Sequence, residues 1–325
     1  MGFENTDYAV GWICALPIEL AAALEILDDK HPKLQTSQAD NNIYHAGRIG
    51  EHNVIIASSG AGTVNAATVA NQMRMSFPHL RFGLLVGIGG GIPRSSTDIR
   101  LGDVAVSWPT GRFGGVDQYD FGDRVKGGKI IPKSHLNRPP PILLSALRTL
   151  DSIHPKKRGA QVLKTVKKVQ EIDDRFCHPG VSADRLFSAE YYHIKEKEPQ
   201  ISVCETCGEC PRCADCNREQ EIKRKNRKYD HPYLHFGIIA SGNQVMKDGV
   251  IRDEIGSASG AICFEMEAAG LMNDFPCAVI RGISDYADSH KNKDWQPYAA
   301  LTAAAYAKEL LAQIPPGMTL HKEEL

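Results

Sequence analysis

Short apolar runs alternate with helix-like segments in two parts of the chain, about residues 8–106 and 235–313. Continuous apolar runs are typical of strands that are buried on both faces of a sheet. They predict strands at residues 8–16, 54–58, 82–88, 104–106, 235–240, 261–264 and 278–283. Helical periodicity predicts helices at residues 18–27, 63–76 and from Tyr298 onward. The alternation predicts an α/β fold, a three-layer α/β/α sandwich with a mixed central sheet. We expect its ligand site beyond the carboxyl ends of the strands.

The segment between these two parts, about residues 109–234, is richer in charge, proline and glycine. We interpret the whole chain, 1–325, as a single domain that this segment interrupts as a charged, cysteine-rich insertion. Two basic runs lie in it, at residues 154–168 and 218–228. Such runs are usually solvated helix faces or loops, and the alternative is a surface that binds nucleic acid.

Overall charge argues against the nucleic-acid alternative. The chain has 38 Lys and Arg against 39 Asp and Glu, which gives a formal charge of −1 and excludes a chain built mainly as a polycation. No apolar run approaches the roughly 20 residues that cross a bilayer, and the first residues lack the basic start of a secretory signal. We therefore expect a cytoplasmic protein with no membrane partner.

Two glycine-rich turns follow predicted strands, at positions where backbone N–H groups can face a ligand. The first, at residues 59–65 (SGAGTVN), matches neither a P-loop nor the dinucleotide fingerprint, so a structural turn is the alternative. The second, at residues 86–93, contains three consecutive glycines, Gly89, Gly90 and Gly91. Such a run costs chain entropy, and it indicates either close approach to a ligand or a turn that only glycine adopts.

A pair of carboxylates stands at the end of the strand predicted at 261–264. In the sequence FEMEAAG, a carboxylate held in an apolar surrounding is suited to accept two hydroxyls of a ribose, because a carboxylate is a pure acceptor. The alternative is an exposed position in the first turn of a helix, where the helix dipole favours an acidic side chain, and we expect this position for Glu265.

The strand predicted at 278–283 ends in a polar cluster that contains Arg281, Ser284, Asp285 and Asp288. A carboxyl group that burial keeps protonated at such a strand end can give its proton to a leaving group as a general acid. Asp288 has a competing role as a cap of a helix or turn.

Five of the nine cysteines recur with a strict three-residue period, at Cys204, Cys207, Cys210, Cys213 and Cys216. Any four of them give two CxxC pairs and a tetrahedral thiolate site for a structural zinc ion. Iron–sulfur ligation, redox sensing and a metal-free loop are the alternatives.

In order and spacing, these motifs resemble the nucleoside phosphorylase and nucleosidase superfamily, most closely its hydrolytic branch of methylthioadenosine/adenosylhomocysteine nucleosidases, in a version similar to that of fungi. The matching segments are ICALPIEL from Ile13, IYHAG from Ile43, SGAG from Ser59, GIGGG from Gly87, LGDV from Leu101, SGNQVM from Ser241, FEME from Phe264 and RGISD from Arg281. The resemblance implies a phosphorylase/hydrolase-like fold, a purine nucleoside as small-molecule substrate, no cofactor for catalysis and a homo-oligomer, dimeric or larger.

The resemblance also implies a role for each matching residue. Asp285 would protonate purine N7 as the glycosidic bond lengthens, and Glu19, with Arg281 beside it, would orient the attacking water. The residues that would hold the ribose are Glu267, Met266, Ser59 and Gly89. Those that would frame the base are Val245, Met246, Asn243 and Ser284.

Hydrolysis is favoured over phosphorolysis by three positions. The phosphorylases of this superfamily bind phosphate with an arginine and a serine where this chain has Leu85 and Ile88, and Glu19 would lie where they have another arginine and would repel the anion. We therefore predict a purine nucleoside N-ribohydrolase. The alternatives are a phosphate-dependent phosphorylase, a nucleosidase for 5′-phosphorylated nucleotides of the AMP or ATP type served by Arg112 or Arg185, and a non-catalytic purine-sensing module.

Overall fold

The computed structural model describes residues 2–94, 96–126, 130–131, 135–153, 155–193, 213 and 216–316. The strands within these ranges are β1 (Val10–Cys14), β2 (Asp29–Lys30), β3 (Tyr44–Ile49), β4 (His52–Ser58), β5 (Phe82–Gly91), β6 (Val104–Ser107), β7 (Val116–Gln118), β8 (Asp123–Arg124), β9 (Ile130–Ile131), β10 (Leu234–Ser241), β11 (Ala261–Glu265) and β12 (Cys277–Asp285). The helices are α1 (Pro17–Glu25), α2 (Thr63–Ser76), α3 (Pro141–Ser152), α4 (Pro155–Gln170), α5 (Gly249–Ser259) and α6 (Gln296–Leu311).

Ten of these strands form one mixed sheet in the order β11-β10-β6-β12-β5-β1-β4-β3-β2, with β7 paired to β10. Strands β4, β1, β5 and β12 run parallel to one another, whereas β6 is antiparallel to β12. β11 also pairs antiparallel with the end of β5, which closes β5, β12, β6, β10 and β11 into a ring. The predicted α/β fold with a mixed central sheet is confirmed. All seven predicted strands and the helices predicted at 18–27, 63–76 and from Tyr298 onward are present.

Side chains alternate between the two faces of the sheet, as the pleat of a strand requires. On β1, Val10 and Trp12 enter one core, and Ile13 enters the other. The first core is covered by α1, α3, α4 and α6, and the second by α2. Both cores consist of residues with almost no exposed surface, so the central strands are apolar on both faces and read as continuous apolar runs in the sequence.

The alanine-rich helix α6 lies directly against β12. A Cβ atom placed on Gly282 would lie 1.8 Å from the carbonyl oxygen of Ala299, so only glycine permits this approach of helix to strand. The close contact fixes the height of β12, and therefore of the polar residues at its end, relative to the rest of the sheet.

Segment 109–234 contributes helices to the main core. Leu143 and Leu147 of α3 and Val162 and Val166 of α4 are buried in the same core as α6. From Pro155 onward, the first basic run belongs to the amphipathic helix α4, in which the lysines are exposed and the valines are buried. None of the helices in the described part of the chain combines the length and the hydropathy needed to cross a membrane.

The second basic run, residues 218–228, is mostly exposed, as expected, but two of its arginines are half-buried in ion pairs. Arg227 donates two hydrogen bonds of 2.6 Å to the buried carboxylate of Asp103, and Arg224 pairs with Asp184 at 2.8 Å. Burial alone would raise the pKa of Asp103, but hydrogen bonds from His235 and Arg227 hold it below its usual value. The run therefore contains arginines that tie this segment to the start of β6 by charge-assisted hydrogen bonds.

Candidate active site

The glycine end of β5 is where the predicted site residues meet. Arg281 is paired in register with Gly87, and Asp285 with Gly90. β11 crosses the end of β5 in the antiparallel direction, so the chain that follows it returns toward the level of Gly87 and brings Glu267 with it. The predicted residues that follow β1, β4 and β5 or end β12 lie at the carboxyl ends of parallel strands, whereas β11 enters from the opposite direction.

Arg281 is the centre of a buried ion cluster. Its side chain is 1% exposed, and one guanidinium nitrogen donates to Glu265 and, at 3.0 Å, to Oε2 of Glu267. The other terminal nitrogen lies 4.0 Å from Oε1 of Glu19. A Cβ atom on Gly87 would lie 2.4 Å from that same oxygen and 2.5 Å from the guanidinium, so the glycine provides the space that the cluster occupies.

Three carboxylates around one guanidinium leave an excess of negative charge. Burial opposes a charged Arg281, but the neighbouring carboxylates raise its pKa above the usual value and keep it protonated. Burial also raises the pKa of Glu267 to about 7, because the attraction of Arg281 is offset by repulsion from Glu265 and Glu19. Glu267 is therefore the member of the cluster that changes its charge near neutral pH.

Glu265 is not exposed, contrary to our expectation. It is 5% exposed and accepts backbone N–H groups of Glu267 and Ala268 in addition to Arg281. The helix that we expected after β11 is a single 3-10 turn, Ala268–Gly270. Glu265 therefore stabilises this turn from inside the protein and orients Arg281 at the same time.

Glu19 is held by the backbone at the start of α1. Its Oε2 accepts N–H groups of Ala15 at 2.7 Å and Leu16 at 2.9 Å, and its Oε1 accepts the N–H group of Ile88 at 2.7 Å. Pro17 at the first helical position leaves no N–H group that competes for it. A carboxylate has about four acceptor positions, so three backbone bonds leave one for a water molecule or a hydroxyl group.

The first glycine turn contacts the same cluster through Glu267. The N–H group of Gly62 donates to Oε1 of Glu267 at 3.1 Å, and Gly62 has φ +106°, a conformation that favours glycine. Ser59 donates its hydroxyl to the carbonyl oxygen of Gly60 at 2.8 Å, and Met266 is half-buried beside Glu267. The predicted ribose residues Glu267, Met266 and Ser59 therefore lie around one turn.

Gly89, another predicted ribose residue, is a position where packing requires glycine. A Cβ atom there would lie 2.5 Å from Sγ of Cys263 and 2.7 Å from the carbonyl oxygen of Phe264, both on β11. The glycine therefore lets β11 cross β5, and this crossing brings Glu267 toward Arg281.

Asp285 lies at the other end of the glycine run. Its side chain is 2% exposed, its Oδ1 accepts the N–H group of Ala287 at 2.9 Å, and its Oδ2 accepts the hydroxyl of Ser284 at 2.9 Å. Nζ of Lys291 lies 2.8 Å from Oδ2. Sequence reasoning missed Lys291, because only the fold of the loop after β12 brings a lysine six residues away back to the carboxylate.

The residues predicted to frame the base are spread over two surroundings. Asn243 accepts both the N–H group and the hydroxyl of Thr63 at 3.0 Å, so it caps the start of α2 from another segment. Val245 is 51% exposed, whereas Met246 is buried against Phe264. Ser284 is bonded to the predicted acid, as described above.

A cavity of about 540 Å³ opens at Asp285, a volume within the range of small-molecule sites. Besides Ser284 and Asp285, its lining includes Arg185, Phe187, Arg218 and Glu221 from segment 109–234. Arg185 pairs with Glu221 at 3.0 Å. Arg112, the other arginine suggested for a phosphate group, lies instead over the ring of Phe113 at 5.0 Å.

The predicted metal residues are described in part. Cys204, Cys207 and Cys210 lie outside the described residues. Cys213 and Cys216 are buried and lie beside His193, a residue that the cysteine period did not indicate. In the sequence, His193 is an isolated histidine with no motif around it. The fold brings its ring next to the two thiols.

We expect Arg281→Met to lower the free energy of unfolding by about 3–5 kcal/mol at pH 8, because it leaves buried carboxylates without their cation. At pH 5 the loss becomes smaller, since Glu267, whose pKa burial already raises, loses the attraction of Arg281 and takes up a proton in the folded state. Urea denaturation at the two pH values measures both effects. Arg175→Met, which removes a surface pair with Asp173, is the control and leaves the free energy of unfolding nearly unchanged at either pH. Equal losses at both pH values for Arg281→Met would contradict this account.

Known proteins have sequences similar to this chain. A family model described as the phosphorylase superfamily matches residues 9–164. The chain is 44% identical over 314 residues to a nucleotide-binding leucine-rich repeat (NLR)-like protein of Hyaloscypha variabilis, a match that covers 95% of this chain and 30% of that protein. It is 22% identical to the 5′-methylthioadenosine/S-adenosylhomocysteine nucleosidase of Mycobacterium bovis, covering 94% and 96% of the two chains. It is 23% identical to the ATP nucleosidase Cap17 of Escherichia coli, covering 92% of this chain and 50% of that protein.

Solved structures share the fold over nearly the whole chain. The 5′-methylthioadenosine/S-adenosyl homocysteine nucleosidase of Helicobacter pylori superimposes with a TM-score of 0.57 at 18% identity, covering 97% of this chain and 100% of that one. The futalosine hydrolase of the same organism gives a TM-score of 0.57 at 18% identity, covering 95% and 99%. The family model thus relates residues 9–164 to the phosphorylase superfamily, and the solved structures share the fold of nearly the whole chain.

Proposed function

We propose that this chain is a purine nucleoside N-ribohydrolase that cleaves the N-glycosidic bond with water. Asp285 gives a proton to N7 of the purine, Glu19 and Arg281 orient the water, and Glu267 with Met266 holds the ribose. The observation that carries the proposal is the convergence of Asp285 and the Glu19–Glu267 pair on one glycine run. Asp285 stands at Gly90 and Glu19 at Gly87, positions about 10 Å apart along the strand, so acid and water-holding carboxylate approach a ligand from different ends.

The charge of the cluster suits the chemistry of this reaction. As the glycosidic bond breaks, the sugar becomes an oxocarbenium-like cation, as in other glycoside hydrolyses. The cluster has three carboxylates, Glu19, Glu265 and Glu267, and one cation, Arg281. All four side chains are buried, so the carboxylates stabilise a positive sugar more strongly than they would in water. After it has given its proton to the base, Asp285 is a carboxylate next to Lys291. The lysine stabilises this negative charge.

Hydrolysis rather than phosphorolysis is supported by the partners of Glu19. The N–H group of Ile88, a donor that an anion would need, is already bonded to Glu19 at 2.7 Å. Leu85, at the other phosphate position of the phosphorylases, is fully buried in the core. A phosphate dianion would therefore meet a carboxylate in place of its cation, at a cost of several kcal/mol.

The proposal is tested by incubating the protein with a panel of purine nucleosides in buffers with and without phosphate, and following free base by chromatography. We expect equal base release in both buffers. Asp285→Asn lowers the rate by about 1,000-fold, because the amide has no proton to give, while circular dichroism stays that of the wild type. Asp253→Asn, an exposed aspartate paired with Arg252, is the matched control and keeps full activity. Strict dependence on phosphate would show a phosphorylase, and binding of a nucleoside without base release would show a sensing module.

The raised pKa of Glu267 predicts a pH profile. The ionised carboxylate accepts two ribose hydroxyls and the protonated one does not, so kcat/KM increases as the pH rises through about 7. Glu267→Gln carries no titrating group there, and we expect it to lose this limb of the profile together with about 100-fold of the rate. Steady-state kinetics on the two proteins, from about 1.5 pH units below this pKa to about 1.5 units above it, measure the limb. An unchanged limb in Glu267→Gln would assign it to another group.

A second candidate substrate class is a 5′-phosphorylated nucleotide of the AMP or ATP type. It is favoured by Arg185 and Arg218, two cations in the lining of the cavity that opens at Asp285. A relative that is 23% identical is named an ATP nucleosidase. In this case we expect Arg218→Ala to raise KM for ATP by about 10-fold and to leave KM for adenosine unchanged, because one charge-assisted contact to phosphate is lost. Equal effects on both substrates would exclude a phosphate-binding role for Arg218.

The proposal retains the other properties that the resemblance implies. These are a cytoplasmic location, assembly into a homo-oligomer and catalysis without a cofactor. Size-exclusion chromatography with light scattering measures the oligomeric state of the purified chain directly.

A further inference from the structure

A compact group of soft metal ligands lies in segment 109–234, outside the proposed catalytic residues. The nitrogen of His193 and the sulfurs of Cys213 and Cys216 all lie within 4.8 Å of one another, and Nδ1 of His193 is 3.2 Å from Sγ of Cys216. Ligand atoms around tetrahedral zinc lie about 3.5–3.8 Å apart, given zinc–sulfur and zinc–nitrogen bonds of about 2.3 and 2.0 Å. The three atoms are therefore already close to the spacing of a zinc site.

A second imidazole lies beside this group with its polar atoms unsatisfied. His290 is 7% exposed, and neither of its ring nitrogens has a hydrogen-bond partner among the described residues. Its ring stacks on Phe187 at 4.1 Å and lies 5.5 Å from the ring of His193. Buried polar atoms without partners are costly, and binding of an ion removes that cost. Two imidazoles on one tetrahedral zinc have ring centres about 5 Å apart, which is close to this separation.

Asp288 is placed to orient the ring of His290 for metal binding. Its Oδ1 is 3.7 Å from Nδ1 of His290 and accepts the backbone N–H group of the same residue. With Nδ1 turned toward Asp288, Nε2 is the ring nitrogen left for a metal. Carboxylate partners of this kind commonly fix the orientation of metal-bound imidazoles.

We propose that His193, Cys213, Cys216 and His290 bind one structural zinc ion. The two thiols release their protons on binding, so two thiolates and two neutral imidazoles balance the double positive charge. The site differs from the four-cysteine site that the period in the sequence suggested, because half of its ligands are histidines. It joins segment 109–234 to the loop after β12, to which His193 is also linked by its N–H bond of 2.9 Å to the hydroxyl of Ser289.

The first test is the zinc content of the full chain after dialysis against metal-free buffer, measured by plasma mass spectrometry. We expect about one zinc per chain, and a zinc affinity lowered by at least about 100-fold in His193→Ala and in His290→Ala. His193→Cys keeps the metal, because a thiolate replaces the imidazole. The controls are His79→Ala, an exposed histidine elsewhere, and Cys177→Ser, an exposed cysteine, and both keep it.

The second test uses the wild-type protein, so it does not depend on the folding of variants. N-ethylmaleimide is applied with and without a zinc chelator, and each cysteine is followed by peptide mass spectrometry. We expect Cys213 and Cys216 to be protected until the chelator is added, whereas Cys177 reacts in both samples. The proposal is overturned by absence of zinc, by a disulfide between Cys213 and Cys216, or by zinc that both histidine variants retain, which would place it on cysteines alone.

Discussion

The guanidinium of Arg281 holds three carboxylates together beneath the glycine end of β5, and the surrounding fold is arranged for this contact. Gly87 supplies the space, β11 runs antiparallel so that Glu265 and Glu267 return to the level of Arg281, and the first turn of α1 presents Glu19. Burying an ion costs several kcal/mol unless its partners are well placed. Segments far apart in the sequence therefore meet at one point of the mixed sheet.

The same cluster limits the chemistry that the site can support. Burial raises the pKa of Glu267 to about 7, and repulsion from Glu265 and Glu19 adds to this effect against the attraction of Arg281. A sugar that becomes positive in the transition state relieves this repulsion, and an incoming phosphate increases it. The electrostatics that set the protonation of Glu267 thus also support water as the nucleophile, and both properties depend on how many carboxylates share Arg281.

The sequence predicted the strands and helices of the core because their residues are buried on both faces, which leaves an unbroken apolar run. It also brought Glu19, Glu267 and Asp285 into one hypothesis, because each follows or begins an element with a recognisable motif. It placed Glu265 wrongly, since nothing local distinguishes an exposed acidic first turn from a carboxylate that faces Arg281. Arg227 with Asp103 and Lys291 with Asp285 were missed for the same reason: each pair is made by tertiary folding, and one partner alone looks like an ordinary surface charge.

The proposed active site has two parts, and different elements of the fold hold them in place. The carboxylates and Arg281 lie in the closed sheet, where packing of glycines and strands positions them. The cavity at Asp285 is walled in part by segment 109–234. Phe187 in this wall packs against Cys213 and Cys216, two of the proposed zinc ligands. Loss of the metal should then loosen the wall without moving Arg281 or Glu267. Under both proposals, a zinc-free protein would bind substrate more weakly while the bond-breaking groups stayed in register, so KM would change more than kcat.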